Sequence, residues 1–391
     1  MNAPRRGFPR EEFARRLEAA QRAMHAARFD ALLLTTEPNV RYFSGFFTQF
    51  WESPTRPWFL LLPAGGMPIA VIPEIGRAGM ARTWVEDIRT WPSPRPEDDG
   101  VSLLCECIKS LPRRFGRLGM TLGAESMLRM PANDFAALRE NLRGISIEIA
   151  DAAPLIHEQR MIKSELEIEK MRHICGIAAD AFAALPGFAR AGMTEMEICR
   201  RMRVDLLERG ADASPYLIAA SGRGGYDNII MGPGERKLGC GDLLVIDTGS
   251  TWDGYFCDFD RNFAFGGADA AARAAYDCVW RATEAGLGAA RAGATTSDLW
   301  RAMNRVLGEG GSLGNAVGRL GHGLGMQLTE RPSNTAEDAT TLRPGMVITL
   351  EPGMEFAPGK HMVHEENIVI TEDGAELLSR RAAPELPVLD G

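Results

Sequence analysis

Five residues in the C-terminal half of this chain have side chains suited to holding divalent cations: Asp247, Asp258, His322, Glu351 and Glu365. Val245-Ile246-Asp247 closes an apolar run, and Asp253-Gly254 follows as a hairpin-turn signal. The returning strand, Tyr255 to Phe263, carries Asp258 and Asp260, so the hairpin is expected to set Asp247 and Asp258 on adjacent strands. Two carboxylates in an apolar setting repel and are costly to bury unless a cation offsets them. Divalent ions do this, and bridging carboxylates are typical of two-metal sites. Aspartates near turns are also common for local reasons, so the pair alone leaves both readings open.

His322 lies within Gly321-His322-Gly323-Leu324-Gly325. An isolated histidine is more often structural than a ligand, but glycines on both sides let other backbone approach closely. Val347 to Leu350 reads as a strand that delivers Glu351 into Pro352-Gly353, and Glu365-Glu366 precedes the strand Asn367 to Thr371. Glutamates at the edges of apolar strands are unusual. A solvated turn position suits Glu366 and suits Glu351 poorly. Imidazole is a ligand for zinc, iron or cobalt, and carboxylates suit manganese as well.

The elements that must position these residues fall in two domains, as 391 residues exceed what one core usually holds. Residues 10–28 read as an amphipathic helix, 31–34 as a buried strand, and 58–62 with 69–72 as a strand pair. Helices near 103–111 and 134–142 alternate with strands near 117–121 and 145–149, which describes an α/β domain over 1–155. Residues 156–391 form the second domain, whose first long helix follows Ser164 with Glu167 in a capping-box pattern. This domain repeats itself. Arg190-Ala191-Gly192-Met193-Thr194 recurs as Arg291-Ala292-Gly293-Ala294-Thr295, and the same offset aligns Met202 with Met303 and Leu206 with Leu307. A true duplication predicts two helix–sheet halves about a pseudo-two-fold axis, with a cleft where their sheets join.

Composition narrows the partners. The net charge of −8 argues against nucleic acid as a main ligand. The seven cysteines have no C-x-x-C pair, and scattered thiols suit a reducing compartment. The N-terminal residues carry no apolar h-region and no stretch approaches a membrane span, so a cytoplasmic protein without membrane contact is expected.

Four stretches together resemble the creatinase/methionine aminopeptidase superfamily (peptidase family M24), and within it the two-domain X-Pro aminopeptidases and prolidases. They are 241–249, 254–261, 321–325, and Glu351-Pro352-Gly353 with 365–371. The resemblance covers nearly the whole chain. It implies an α/β N-terminal domain ahead of an α+β pita-bread catalytic domain with internal duplication. It implies two divalent ions (Mn, Co, Zn or Fe), with Asp247 on one, Asp258 and Glu365 bridging, and His322 and Glu351 completing the set. It also implies a metal-activated water as nucleophile, Glu351 handling protons, and a homodimer.

The chain departs from that pattern where substrate is usually held. A histidine position ahead of the first aspartate motif holds Ile230, and a second, seven residues after His322, holds Thr329, followed by Glu330 and Arg331. An arginine position before the last glutamate holds Val363, and Asp260-Arg261-Asn262 stands for the usual Thr-Arg-Thr. Lost oxyanion-type donors typically cost about 10²–10³ in rate. His361 and His364 are candidate substitutes, and Asp260 is a candidate third carboxylate or cation contact. Trp51 and Arg56, in an aromatic loop, are candidates for shaping a pocket across a dimer; local packing is the other reading.

The expected activity is metal-dependent hydrolysis of an amide or short peptide bond, of X-Pro peptidase type. The alternatives are a lyase or cyclic-amide hydrolase on the same scaffold, and a non-catalytic partner-binding homologue.

Overall fold

Every side chain of Ala31–Leu34 is buried, and that strand sits at the centre of the N-terminal architecture. It pairs antiparallel with Phe59–Pro63 and parallel with Arg117–Met120. The computed structural model describes residues 3–314 and 318–390. Contacts divide it into a unit Arg5–Arg160 and a larger one beginning at Met161. In the first, a mixed six-stranded sheet runs in the order Asp87–Trp91, Ile69–Pro73, Phe59–Pro63, Ala31–Leu34, Arg117–Met120, Glu148–Asp151. Leu33, Phe59, Leu61, Val71 and Leu118 pack with Leu104 and Leu138 from the helices Val101–Lys109 and Ala132–Arg143.

The division falls after Arg160, later than the expected 155–156 boundary. The Asp151 carboxylate accepts from the Ala153 N–H at 2.9 Å and opens the helix Ala153–Met161. The half-buried strand Asp87–Trp91 has no apolar run, and sequence reading missed it. Trp51 is buried in the core of its own unit, 6.1 Å from the Trp58 ring and under the Arg129 guanidinium. Arg129 also donates to the carbonyls of Phe50, Trp51, Thr55 and Arg56, which moors the loop carrying both pocket candidates. The Arg56 guanidinium lies 5.3 Å from the Phe50 ring. Within the chain, Trp51 is packed locally.

The second unit is two helix–sheet halves. In the first half, helices Glu165–Ala184 and Glu195–Glu208 accompany strands Ala213–Arg223, Asp242–Trp252 and Phe259–Phe265. In the second, helices Ala270–Ala289 and Thr296–Glu309 accompany strands His322–Gly323, Glu330–Ser333, Val347–Leu350, Glu366–Ile370 and Ala375–Leu377. The duplication extends to hydrogen bonds. Gly192 and Gly293 adopt φ of 88° and 85°. Their N–H groups donate to Leu238 and Leu342 at 2.8 and 2.9 Å. Thr194 and Thr295 then cap their helices, accepting from the N–H groups of Glu197 and Asp298. Met202 and Met303 are both fully buried. Among the described residues no helix is long and apolar enough to cross a membrane, and all seven cysteines are free thiols.

Removing an N-cap hydroxyl typically costs about 1 kcal/mol. Thr194→Ala and Thr295→Ala should each destabilise the C-terminal unit by about that amount. The caps are well separated, so the double variant should show the sum in urea titrations.

Candidate metal centre

The first carboxylates come from a hairpin whose turn is built as its sequence dictates. Asp253 and Gly254 take φ of 48° and 84°, and Trp252 pairs with Tyr255. The returning strand expected over 255–263 is interrupted, with Tyr255–Phe256 and Phe259–Phe265 on either side of Cys257 and Asp258. A side chain causes the break. Asn367, fully buried, accepts the Asp258 N–H at 2.9 Å through Oδ1 and donates from Nδ2 to the Asp258 carbonyl. It thus replaces the ladder partner that a strand would supply. In the resulting register the residue directly opposite Asp247 is Asp260, not Asp258.

His322 enters from the other half. A side chain at Gly321 would strike the Thr349 carbonyl, and one at Gly323 would strike that of Arg331. The flanking glycines are therefore required by the close approach of neighbouring strands. His322 Nδ1 lies 2.9 Å from the Gly323 carbonyl, which only accepts, so Nδ1 carries the proton and Nε2 presents its lone pair. Nε2 stands 3.5 Å from Asp258 Oδ2 and 3.9 Å from Glu351 Oε2. Ligand atoms of Asp258, His322 and Glu365 all lie within 4.8 Å of one another, with all three residues buried. This set suits one divalent ion.

Alternation along the last strand separates two electrostatic environments. Glu365 faces the cluster. Glu366 faces away, and its expected solvated position is wrong: it is fully buried and held by Arg261 at 3.1 Å, Arg381 at 3.3 Å, the Ala382 N–H at 2.9 Å and the Ser379 hydroxyl. His364 shares that side. Its Nδ1 lies 3.0 Å from the Thr283 hydroxyl and Nε2 lies 3.3 Å from Arg381, while burial and the two arginines hold its pKa well below the usual value. His364 therefore sits outside the carboxylate cluster, contrary to its expected catalytic place. His361 belongs to the hairpin strand Lys360–Val363, opposite Glu355, and lies outside the Asp258–His322–Glu365 set. Glu330 forms a buried ion pair with Lys163 at 3.3 Å, and Arg331 lies 3.9 Å from Asp338. Ile230 is 74% exposed and Thr329 is exposed.

On the cluster side, among the described residues, only Arg319 brings a positive charge near, 3.6 Å from Glu351. Burial raises Asp247 to about 7, with the Glu351 charge adding to it and the Tyr216 hydroxyl opposing it. Burial likewise raises Glu351 to about 7 against the pull of Arg319. Asp258, Asp260 and Glu365 are pushed well above the usual carboxylate range by burial and then by the charge of neighbouring carboxylates, Asp247 and Glu351 among them in each case. Four carboxylate oxygens (Asp247 Oδ1, Asp258 Oδ1, Asp260 Oδ1 and Glu365 Oε1) are buried without a hydrogen-bond partner. Buried polar atoms are nearly always satisfied. Four orphans of one sign, beside an imidazole lone pair, fit a divalent cation. Sequence reading missed Asn367, Tyr216 and Arg319. Asn367 alone carried a signal, as a polar residue opening an apolar strand.

A duplicated helix–sheet fold around a buried carboxylate and imidazole cluster defines a metallohydrolase. The pattern of Metallopeptidase family M24 matches residues 169–373, and that of the Creatinase/Prolidase N-terminal domain matches residues 16–162. The chain belongs to metallopeptidase family M24. It is 30% identical over 378 residues, 95% of each chain, to the probable dipeptidase PepE of Mycobacterium tuberculosis. It is 27% identical over 353 residues to the Xaa-Pro dipeptidase of Pyrococcus horikoshii, covering 90% of this chain and 93% of that one. The crystal structure of dipeptidase PepE from Mycobacterium ulcerans superposes with a TM-score of 0.85 at 28% identity, covering 98% of this chain and 100% of that one.

Two outcomes follow for the cluster. For the raised carboxylates Asp247 and Glu351, the unfolded chain loses its protons near pH 4 while the folded one keeps them to about 7. Folding stability of the metal-free protein therefore falls as pH rises across that window. Thermal melts in chelator should drop by more than about 2 °C between pH 5 and 7, the shift expected from ~1 kcal/mol in a domain of this size. Saturating manganese should remove the drop. Separately, Asn367→Leu should weaken metal affinity roughly 10–100-fold, the usual cost of losing a group that orients a ligand, as read by calorimetric titration.

Proposed function

We propose that this chain is an Xaa-Pro-type dipeptidase that uses two divalent ions, held by Asp247, Asp258, His322, Glu351 and Glu365. The observation that carries the reading is the set of four buried, unpartnered carboxylate oxygens, which extends past the Asp258–His322–Glu365 set to Asp247 and Asp260. One ion does not offset so many carboxylates. Similarity to a probable dipeptidase and to an Xaa-Pro dipeptidase supports the substrate class.

Bound divalent ions supply Lewis-acid polarisation of the scissile carbonyl and a water acidic enough to attack near neutral pH. The chain's own residues do the rest. His322 is held in one tautomer by the Gly323 carbonyl, so its Nε2 stays aimed at the cluster. Glu351 is more open than Asp258 or His322, with 21% of its side chain exposed. Its affinity for a proton near pH 7 suits it to take one at Oε and return it to the leaving amine. Asp260, opposite Asp247, adds a carboxylate where the two-domain peptidases usually carry threonine. It supports the first ion or receives a cationic substrate amine.

One observation favours a second reading, a cyclic-amide hydrolase or lyase. Asp260 is buried and unpartnered, while Ile230 brings no hydrogen-bond donor to its loop.

Metal-loaded protein should carry two ions per chain by elemental analysis and hydrolyse Ala-Pro or Leu-Pro. Asp247→Asn should reduce the content to one ion and lower kcat/KM by at least about 100-fold, in the range seen when transition-state electrostatics are lost. Turnover of cyclic amides or β-substituted acids with none of X-Pro dipeptides would establish the second reading instead.

A further inference from the structure

Arg261 and Arg381 close over Glu366, and a cavity of about 300 Å³ lies against both of them. Its walls come from the helices Glu165–Ala184 and Ala270–Ala289, the strand Phe259–Phe265 and residues 380–387. Phe182, Phe263 and the Tyr276 ring make those walls largely apolar, and the small side chains of Ala179 and Ala183 leave the space open. The Tyr276 hydroxyl is spent on the Ala383 carbonyl at 2.7 Å. An apolar concavity of this size with a few convergent polar groups is where small molecules usually bind.

The charge around this cavity is one-sided. Arg261, Arg380 and Arg381 line it, and no acidic residue does among those described. Asp180 and Glu284 pair with Arg380 and Arg381, but both are half-exposed, where solvent screens them. Arg261 is only 12% exposed. Among the described residues, Glu366 is the one carboxylate in ion-pair reach of Arg261, and Arg381 shares it at 3.3 Å. Asp260 and Glu365 face the other side of the sheet, where the proposed cations offset their charge. Donors are left over as well. Arg261 Nη1 donates to the Asp260 and Glu365 carbonyls, and Nη2 to Glu366 and the Arg380 carbonyl. These bonds fix the guanidinium, while its Nε has no partner among the described residues. Arg380 commits Nη2 to Asp180 and leaves Nε and Nη1 without one. An acceptor arriving here meets charged donors that are already held in place, which lowers the cost of binding it.

We infer that this cavity binds a small apolar monocarboxylate, its body among Phe182, Phe263 and Tyr276 and its head group on Arg261 Nε and Arg380. A free amino acid fits poorly, because its ammonium would sit among three arginines with no carboxylate facing it. The site is therefore separate from the metal centre and takes neither a peptide nor the amino acids that peptide hydrolysis releases. It stands whether or not the peptidase reading does.

Calorimetric titration of manganese-loaded protein tests this, with phenylacetate, phenylacetamide, acetate and free L-phenylalanine as probes. Wild type should bind phenylacetate at least ~10-fold more tightly than any of the other three. The amide lacks the charge, acetate lacks the apolar body, and the amino acid adds an ammonium. Ala183 is an exposed wall residue, so Ala183→Trp fills the cavity without touching the metal residues. It should weaken phenylacetate at least ~10-fold with manganese content unchanged. Arg380→Met, at a side chain 61% exposed, should lower the acid-to-amide ratio by at least ~3-fold, the scale of one exposed ion pair. Equal binding of phenylacetate and its amide, or of phenylacetate and the amino acid, would overturn the assignment. So would an unchanged ratio in Arg380→Met. Phenylacetate binding that survives Ala183→Trp would place the acid elsewhere, the metal centre included, and would overturn it too.

Discussion

Mutual repulsion among buried carboxylates is the constraint around which the catalytic unit is organised. Asp247, Asp258, Asp260, Glu351 and Glu365 are all held above the usual carboxylate range by burial, and for all but Glu351 the charge of neighbouring carboxylates adds to it. A protein relieves such a concentration in one of two ways, by protonation or by cations. The glycines that let neighbouring strands close on His322, the Asn367 clasp and the Gly323 carbonyl all serve that constraint. They hold a geometry that is unfavourable alone and favourable with cations present.

The strand around Glu365 displays the contrast within two residues. Glu366 is as buried as Glu365 but meets Arg261, Arg381, Ser379 and a backbone N–H, so its charge is fully compensated. Glu365 Oε1 has no hydrogen-bond partner among the described residues. Asp260 and Arg261 divide in the same manner, one toward the cluster and one toward Glu366. Both faces of the sheet are thus polar. One is closed by arginine and the other is left for ligands.

Much of this was legible from sequence, and the reason is local. Asp247, His322, Glu351 and Glu365 each sit in a short motif whose glycines or apolar runs dictate their own conformation, and it was the resemblance of those motifs to a known family that implied they meet. The repeat at Gly192 and Gly293 also needed only local signals, since positive φ and a threonine cap are written in adjacent residues. Long-range choices were not legible. Nothing near Asp258 announces that Asn367, 109 residues away, replaces its strand partner. Nor does adjacency reveal that His364 turns toward Thr283, or that Glu366 finds two arginines. Arg319 has no periodic or motif signature, and its place depends on Thr329 and Glu351, which reach it from other segments. The strand Asp87–Trp91 escaped for a related reason: an edge position relaxes the apolar pattern that makes strands visible.

The clustered side chains are shared unevenly across the seam of the duplicated unit. Asp247, Asp258 and Asp260 come from the first half, and His322, Glu351 and Glu365 from the second, while Asn367 reaches across to hold Asp258. Neither half alone contains a complete chelating set. Cation capture therefore becomes possible only once both halves have docked, and the ion then acts as a rivet that opposes their separation. Catalytic competence and the integrity of the pseudo-symmetric assembly are one property, gained and lost together.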